Sequence, residues 1–353
     1  MPDSSALMMV PRPPEPPRPS PTLLRNQLGV FEGFLNDDAV QEICVNRPDE
    51  IFTYGHDGWV RHPAVLSFDK LVAMAGAVAT ETNQKVDERH PLLSATLPTG
   101  DRVQFVLPPA CTPNTVSMTV RKPSRTRWSL DDLAGKGAFD AVRIVERGTD
   151  LSPADMELSA LIEATRVGGS GAMAAFFRCA VAQRRNIVLS GAVGSGKTTL
   201  MRALMDAVPD DERIITIEDA AELEPRQPNT VQLFYSRGDQ GVARIQAGHL
   251  LESCLRMFPS RIMLAELRGA EAWAYLRNVN SGHPGSMTSI HATSAALAFD
   301  QLTLLAKESP GGAGLSRDEI RQMLHRLVDV VVQMQDKRIV EIWFDPKAKH
   351  AAA

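Results

Sequence analysis

The stretch NIVLSGAVGSGKTTL, residues 186–200, constrains the fold of this chain more than any other. An apolar run leads to Gly191, and after four intervening residues Gly196, Lys197 and Thr198 open a helix-forming run. This is the spacing of a P-loop, in which consecutive backbone N–H groups turn inward around a phosphate. Glycines permit both the tight turn and the close approach of the anion. The stretch therefore predicts a strand, a phosphate-binding loop and a helix N-terminus.

The residues of this loop have distinct tasks. Lys197 would place its charge at the terminal phosphates, and Thr198 would offer its hydroxyl to a magnesium ion. The positive end of the helix would add to the attraction for the anion. We therefore predict ATP and Mg²⁺ as ligands, with the nucleotide held by Gly191, Ala192, Val193, Gly194, Ser195, Gly196, Lys197, Thr198 and Thr199.

Short apolar runs alternate with helical stretches over residues 151–345. The runs are NIVLS, RIITI, TVQLF, RIMLA and SMTSI. Such alternation is typical of a mostly parallel sheet covered by helices, so we predict an α/β domain here. A hairpin of VDVVVQM and RIVEIWF would close it, and residues 346–353 are predicted as a tail.

Two of these runs end in acids that could serve a nucleotide. Glu266 follows RIMLA, and Glu218 and Asp219 end RIITIED. Hydrolysis requires a carboxylate near magnesium and a group that orients or deprotonates water. The position before Glu266, where many ATPases carry an aspartate, is Ala265. The acid could therefore come from either strand end, and the residues alone leave this open.

The N-terminal part of the chain has other patterns. The proline-rich run PRPPEPPRPSP predicts that residues 1–22 are a disordered tail. Short strand-like runs and a helical stretch capped by Ser67 predict a smaller α+β domain over residues 23–122. Glycines, a proline and many charges predict a linker over residues 123–150, which is long for a compact domain.

The composition argues against several classes of protein. Lys and Arg number 38 against 42 Asp and Glu, a net charge of -4, so no global basic field favours nucleic acid. The four cysteines are widely spaced without a CxxC motif, which argues against a zinc site or a disulfide framework. No apolar run approaches the length of a transmembrane helix. We therefore predict a protein of the reducing cytosol, with at most peripheral membrane contact.

Four motifs, in this order, resemble those of the secretion-superfamily ATPases. GAVGSGKTT is similar to their Walker A motif, IITIEDAAEL to their Asp box, RIMLAELRGAEAW to their Walker B motif and SGHPGSMTSIHA to their His box. The N-terminal runs EICVNRPDEIF, TGDRVQFVLPP and SMTVRKPS look most like the traffic ATPases of type IV secretion systems, the VirB-eleven type. In that family the residue before the Walker B glutamate is usually glycine, so Ala265 is one small residue in place of another.

The resemblance implies a RecA-like P-loop ATPase domain preceded by a smaller α+β N-terminal domain. It also implies a homohexameric ring with the nucleotide between the two domains. Glu218 matches the Asp-box acid, Glu266 the Walker B acid and His291 the His-box histidine, and both acids are expected near magnesium. Arg102 and Arg121 match N-terminal arginines that reach the nucleotide in relatives.

The function implied is to couple ATP binding and hydrolysis to substrate transfer or pilus assembly by a type IV secretion system. The expected place is the cytoplasmic face of the inner membrane, as a peripheral protein. The expected partners are other cytoplasmic and inner-membrane components of the system and a transported protein or DNA–protein substrate. Two alternatives stay open. The first is a pilus retraction or type II secretion motor, although the absence of paired cysteines argues against the zinc-bearing branch of those motors. The second is a nucleotide-gated ring adaptor with little turnover.

Overall fold

The described residues form two sheets, each covered by its own helices. The computed structural model describes residues 27–97, 99–123, 151–168, 170–236 and 242–351. The predicted N-terminal tail and nearly all of the predicted linker lie outside these ranges. Within the described part of the chain, no helix has the length and apolar character needed to cross a membrane.

The N-terminal sheet is antiparallel and has six strands. The N-terminal part of the fold contains, in chain order, α1 (Glu32–Asn36), β1 (Val40–Val45), β2 (Glu50–Gly55), β3 (Gly58–Pro63), α2 (Phe68–Glu81), β4 (Leu92–Thr96), β5 (Arg102–Val106) and β6 (Ser117–Arg121). The strands lie in the order β3-β2-β1-β6-β5-β4. Ser67 caps α2 as predicted, because its hydroxyl accepts a hydrogen bond from the Lys70 N–H at 3.3 Å.

The C-terminal sheet has seven strands, and the five apolar runs of the sequence supply five of them. Its elements are α3 (Pro153–Gly168), α4 (Ser170–Ala182), β7 (Ile187–Gly191), α5 (Lys197–Asp206), β8 (Ile214–Glu218), β9 (Thr230–Phe234), α6 (Ala247–Cys254), β10 (Arg261–Leu264), α7 (Glu271–Asn280), β11 (Met287–Ile290), α8 (Ala295–Glu308), α9 (Arg317–Leu327), β12 (Val330–Gln335), β13 (Arg338–Trp343) and α10 (Pro346–Ala351). The order is β13-β12-β7-β11-β10-β8-β9, and only β13 is antiparallel to its neighbour.

This strand order gathers the sequence motifs at one edge. β7, β11, β10 and β8 are adjacent and parallel, so their carboxyl ends lie side by side. The P-loop follows β7, His291 follows β11, Glu266 is the second residue after β10, and Glu218 ends β8. Ligands of open α/β sheets bind at this edge, so the fold places the four motifs where a nucleotide would bind.

The C-terminal residues differ from the prediction of a tail. Pro346–Ala351 form α10, and the Lys349 ammonium lies 2.5 Å from the Asp329 carboxylate just before β12. Proline is favoured at the first position of a helix, and the ion pair ties the helix to the domain. The composition of the last residues does not indicate that Asp329 is the partner of Lys349.

One buried arginine joins the two sheets. Arg213, immediately before β8, has no exposed surface. Its guanidinium donates to the side-chain oxygens of Asn46 and Asn229, each at 2.6 Å, and to the Met257 carbonyl at 2.9 Å. The Trp59 ring centroid lies 5.7 Å from the guanidinium carbon. Since Asn46 and Trp59 belong to the N-terminal part, these contacts hold one sheet against the other.

We predict that Arg213→Met lowers the stability of the protein. The change leaves the Asn46 oxygen and the Met257 carbonyl buried without their donor, which costs about 2 kcal/mol. The midpoint of urea unfolding, followed by circular dichroism, should fall accordingly. Arg256→Met, which removes an exposed arginine nearby, should leave the midpoint unchanged. Equal midpoints for the two variants would show that the buried guanidinium does not stabilise this interface.

Candidate active site

A cleft of about 880 Å³ opens at the carboxyl edge of the C-terminal sheet. Its walls come from the P-loop, the first turns of α5, the segments after β8, β10 and β11, and the turn between β12 and β13. The volume lies within the range of small-molecule sites. The cleft is therefore large enough for a nucleotide and contains the loop that the sequence predicts to bind phosphate.

The backbone of the P-loop requires its glycines. Gly194 and Gly196 have φ angles of +74° and +99°, in the left-handed region that side chains disfavour. A Cβ atom at Gly191 would lie 2.4 Å from the Met334 carbonyl of β12. The loop thus turns tightly against the neighbouring hairpin, and any side chain at Gly191 would force the two apart.

Lys197 points back into its own loop. Its ammonium donates to the carbonyls of Gly191 and Ala192 at 2.7 and 2.9 Å. It also lies 3.3 Å from Nδ1 of His291. Burial lowers the pKa of Lys197, and Arg268 lowers it further, while Glu266 acts in the opposite direction. The lysine is therefore held in place by neutral carbonyls that a phosphate could replace.

His291, Glu266 and Arg268 continue this chain of polar contacts. Nε2 of His291 lies 2.7 Å from the Glu266 carboxylate, and the other Glu266 oxygen accepts a hydrogen bond from the Arg268 guanidinium. The hydrogen bond to Glu266 raises the pKa of Arg268. The structure thus brings together three residues that the sequence predicts for catalysis: Lys197, Glu266 and His291.

Glu218 lies elsewhere. Its side chain has no exposed surface and is not among the residues that line the cleft. One carboxylate oxygen accepts a hydrogen bond from the Thr216 hydroxyl at 2.7 Å, and the other accepts from the backbone N–H groups of Glu222 and Leu223, each at 2.8 Å. Glu218 therefore fixes the turn that follows β8.

The acid that this turn presents to the cleft is Glu222. Its carboxylate lies 3.4 Å from the Thr198 hydroxyl, and both Glu222 and Asp219 line the cleft. Glu222 was not among the predicted site residues. Its signal in the sequence was a third acid in IEDAAEL, four residues beyond the strand end. Glu218 is the acid at the strand end itself, and no local pattern shows that the following turn leads back toward the P-loop.

The oxygen donors here fit a magnesium ion. Mg²⁺ is bound by one or two carboxylates together with phosphates and waters. Thr198 and Glu222 offer a hydroxyl and a carboxylate in contact, and Asp219 adds a second acid to the same cleft. Among the described residues, no group of three or more His, Cys, Asp or Glu could hold a metal alone. An ion at this place would therefore depend on the phosphates of a nucleotide.

The two predicted N-terminal arginines do not line this cleft. Arg102 and Arg121 are exposed and lie directly opposite each other on β5 and β6. Nε of Arg121 lies 3.3 Å from the buried Glu42 carboxylate. Burial raises the pKa of Glu42 to about 8, although Arg121 and Arg213 both act to lower it. The structure brings the arginines to each other but not to the P-loop of their own chain.

Comparison with known proteins agrees with this geometry. Residues 25–341 match the family described as Type II/IV secretion system protein. The chain belongs to this family. It is 46% identical over 337 residues to a type IV secretion system protein VirB11 of Bartonella henselae, covering 92% of this chain and 93% of that protein. It is 43% identical over 329 residues to VirB11 of Brucella suis, covering 90% of this chain and 89% of that protein.

A solved structure supports the same assignment. The VirB11 ATPase from the Brucella suis type IV secretion system, determined in complex with sulphate, superposes with a TM-score of 0.86. It is 42% identical to this chain, and the match covers 93% of this chain and 99% of that one. The predicted resemblance to VirB11-type traffic ATPases and the predicted RecA-like α/β fold are therefore confirmed.

We predict that Glu218→Gln and Glu222→Gln have different effects on stability. An amide at position 218 has one acceptor oxygen in place of two, so buried donors lose partners at a cost of about 1–3 kcal/mol. The exposed Glu222 side chain has no such task, and its change should stay within about 0.5 kcal/mol. Urea unfolding of both variants measures this difference. A Glu218→Gln variant as stable as the wild type would contradict the structural task assigned to Glu218.

Proposed function

We propose that this chain is a hexameric ATPase of a type IV secretion system, coupling ATP hydrolysis to substrate transfer or pilus assembly. The observation that carries the proposal is that a P-loop lysine, three acids and a histidine line one cleft in a VirB11-type chain. Its place would be the cytoplasmic face of the inner membrane, as a peripheral protein. Its partners would be the other components of that system and the transported protein or DNA–protein substrate.

Each residue of the cleft would have a defined task in hydrolysis. The P-loop N–H groups and Lys197 bind the phosphates, and the lysine exchanges its contacts with loop carbonyls for contacts with phosphate oxygens. Thr198 and Glu222 hold magnesium, which supplies charge stabilisation when bound. Glu266 orients and deprotonates the attacking water, and His291 positions Glu266 through the 2.7 Å contact. Glu218, predicted as a catalytic and metal-binding acid, instead supports the turn that presents Glu222.

Arg102 and Arg121 would complete the site of a neighbouring protomer. Two like charges directly opposite on adjacent strands are unfavourable, and an anion between them would relieve the repulsion. A guanidinium pair suits a terminal phosphate, because it binds oxygens in a fork geometry. Since neither arginine lines the cleft of its own chain, a ring would bring them to the next one. Loss of the terminal phosphate would then release one protomer from its neighbour.

The adaptor alternative finds no particular support in the cleft. A ring that only binds nucleotide has no need for a group that activates water. Here Glu266 lines the cleft and is held by both His291 and Arg268. Such an arrangement favours turnover over binding alone.

We predict that Lys197→Ala abolishes ATP hydrolysis. The change removes the charge that stabilises the terminal phosphates in the transition state, a contribution of several kcal/mol, so the rate should fall at least about a thousandfold. Steady-state phosphate release measures it, and Lys85→Ala, which removes an exposed lysine of the N-terminal part, is the matched control. A Lys197→Ala rate within about tenfold of wild type would refute the proposed site.

We predict that arginine-deficient and lysine-deficient protomers complement each other. A protein with Arg102→Ala and Arg121→Ala keeps its P-loop, whereas Lys197→Ala keeps the arginines. Each alone should be nearly inactive. In random mixed rings about a quarter of the sites combine an intact P-loop with a neighbour's arginines, so phosphate release should return to that extent. Mixtures that stay inactive, although the two proteins co-assemble, would show that the arginines do not act between protomers.

A further inference from the structure

One residue of β11 holds the backbone on both sides of Glu266. The Ser289 hydroxyl donates a hydrogen bond to the Ala265 carbonyl at 2.7 Å. The Ser289 carbonyl accepts a hydrogen bond from the Leu267 N–H at 2.8 Å. The Ala265 carbonyl belongs to the peptide group before Glu266, and the Leu267 N–H belongs to the peptide group after it. Both peptide groups that flank Glu266 are therefore bonded to Ser289.

These contacts lie beyond the regular part of the sheet. Strand β10 ends at Leu264, which is paired with Thr288 in the last pair of the β10–β11 ladder. Glu266 is the second residue after that end, so the ladder itself does not fix the direction of its side chain. The Ser289 hydroxyl extends the hold of β11 to this segment by a side-chain hydrogen bond.

Ser289 and His291 act on the same glutamate from the same strand end. Side chains two residues apart along a strand point to the same face of the sheet. The Ser289 hydroxyl bonds the backbone just before Glu266, whereas Nε2 of His291 lies 2.7 Å from the Glu266 carboxylate. Ser289 lines the cleft and is only 5% exposed. One residue thus holds the backbone of Glu266, and the other holds its carboxylate.

We propose that Ser289 is a positioning residue for hydrolysis and acts through Glu266. The proposal rests on the proposed function, because it requires that Glu266 deprotonates the attacking water. A general base works only within hydrogen-bond reach of the proton that it accepts, and a misplacement of about 1 Å can cost about a hundredfold in rate. Without the hydroxyl, the peptide group before Glu266 loses its anchor, while the P-loop keeps all of its contacts. The hydroxyl therefore serves the chemical step and not nucleotide binding.

Steady-state phosphate release by the full chain at varied ATP concentration tests this assignment. Ser289→Ala should lower kcat about ten- to thirtyfold and leave KM within about twofold, because the base is misplaced and the phosphate site is intact. Ser289→Thr keeps the hydroxyl, so its kcat should stay within about threefold of wild type.

The preceding residue of β11 offers a matched control. Thr288 is fully buried, and its hydroxyl has no hydrogen-bond partner within the described part of the chain. Thr288→Val therefore removes a buried hydroxyl of the same strand without removing a contact of Glu266. Both kcat and KM of this variant should equal those of the wild type.

A double variant shows whether Ser289 acts through Glu266. Glu266→Gln has a residual rate of phosphate release that is measured in a single turnover with the protein in excess over ATP. Adding Ser289→Ala should change this rate by less than about twofold, since the side chain that Ser289 positions is no longer a base. A further loss of about tenfold would show that Ser289 acts on another group, and would overturn the proposal.

Two other outcomes would also overturn it. One is a kcat of Ser289→Ala within about twofold of wild type, and the other is an equal loss in Ser289→Ala and Thr288→Val. Thermal unfolding shows whether each variant is folded. If Ser289→Ala is not, Ser289→Cys takes its place with an expected loss of at least about fivefold, because a thiol is a weak donor. Phosphate release at the wild-type rate by Glu266→Gln would instead refute the task that the proposed function gives to Glu266.

Discussion

The arrangement of the site depends on the buried ammonium of Lys197. Its hydrogen bonds to the Gly191 and Ala192 carbonyls hold the P-loop closed on itself, and its contact with His291 leads on to Glu266. An ammonium in a partly buried place needs such partners, because its charge is costly without them. Phosphate oxygens would replace the carbonyls with charged acceptors, which bind more strongly. Nucleotide binding would therefore act on the same ammonium that contacts His291.

The parallel strands bring remote motifs to this ammonium, and one distant hairpin fixes them there. β12 pairs with β7, so residues more than a hundred positions after the P-loop support its backbone. Gly191 has no side chain because the Met334 carbonyl occupies the space that a Cβ would need. The same hairpin donates to the P-loop and supports the segment after His291. A movement of the P-loop on nucleotide binding would therefore also act on the β12–β13 hairpin and on the segment after His291.

Much of this could be predicted from the sequence, since the P-loop and the apolar runs are local patterns. Lys197, Glu266 and His291 were predicted for one site and lie in contact. Glu222 was missed because a strand-end rule does not include the turn that follows, which a buried Glu218 determines. The contribution of β13 to the cleft could not be predicted, because only the sheet order, which no local pattern gives, brings β13 beside the P-loop. The contact of Arg102 and Arg121 with a nucleotide stays a prediction.

We expect this cleft to bind ATP and Glu266 to act on the attacking water. The most direct measurement is ATP binding and phosphate release by Glu266→Gln in one preparation of the full chain. We expect ATP binding within about threefold of wild type and phosphate release reduced at least about a hundredfold, because an amide cannot accept the proton of water. Phosphate release at the wild-type rate would contradict it.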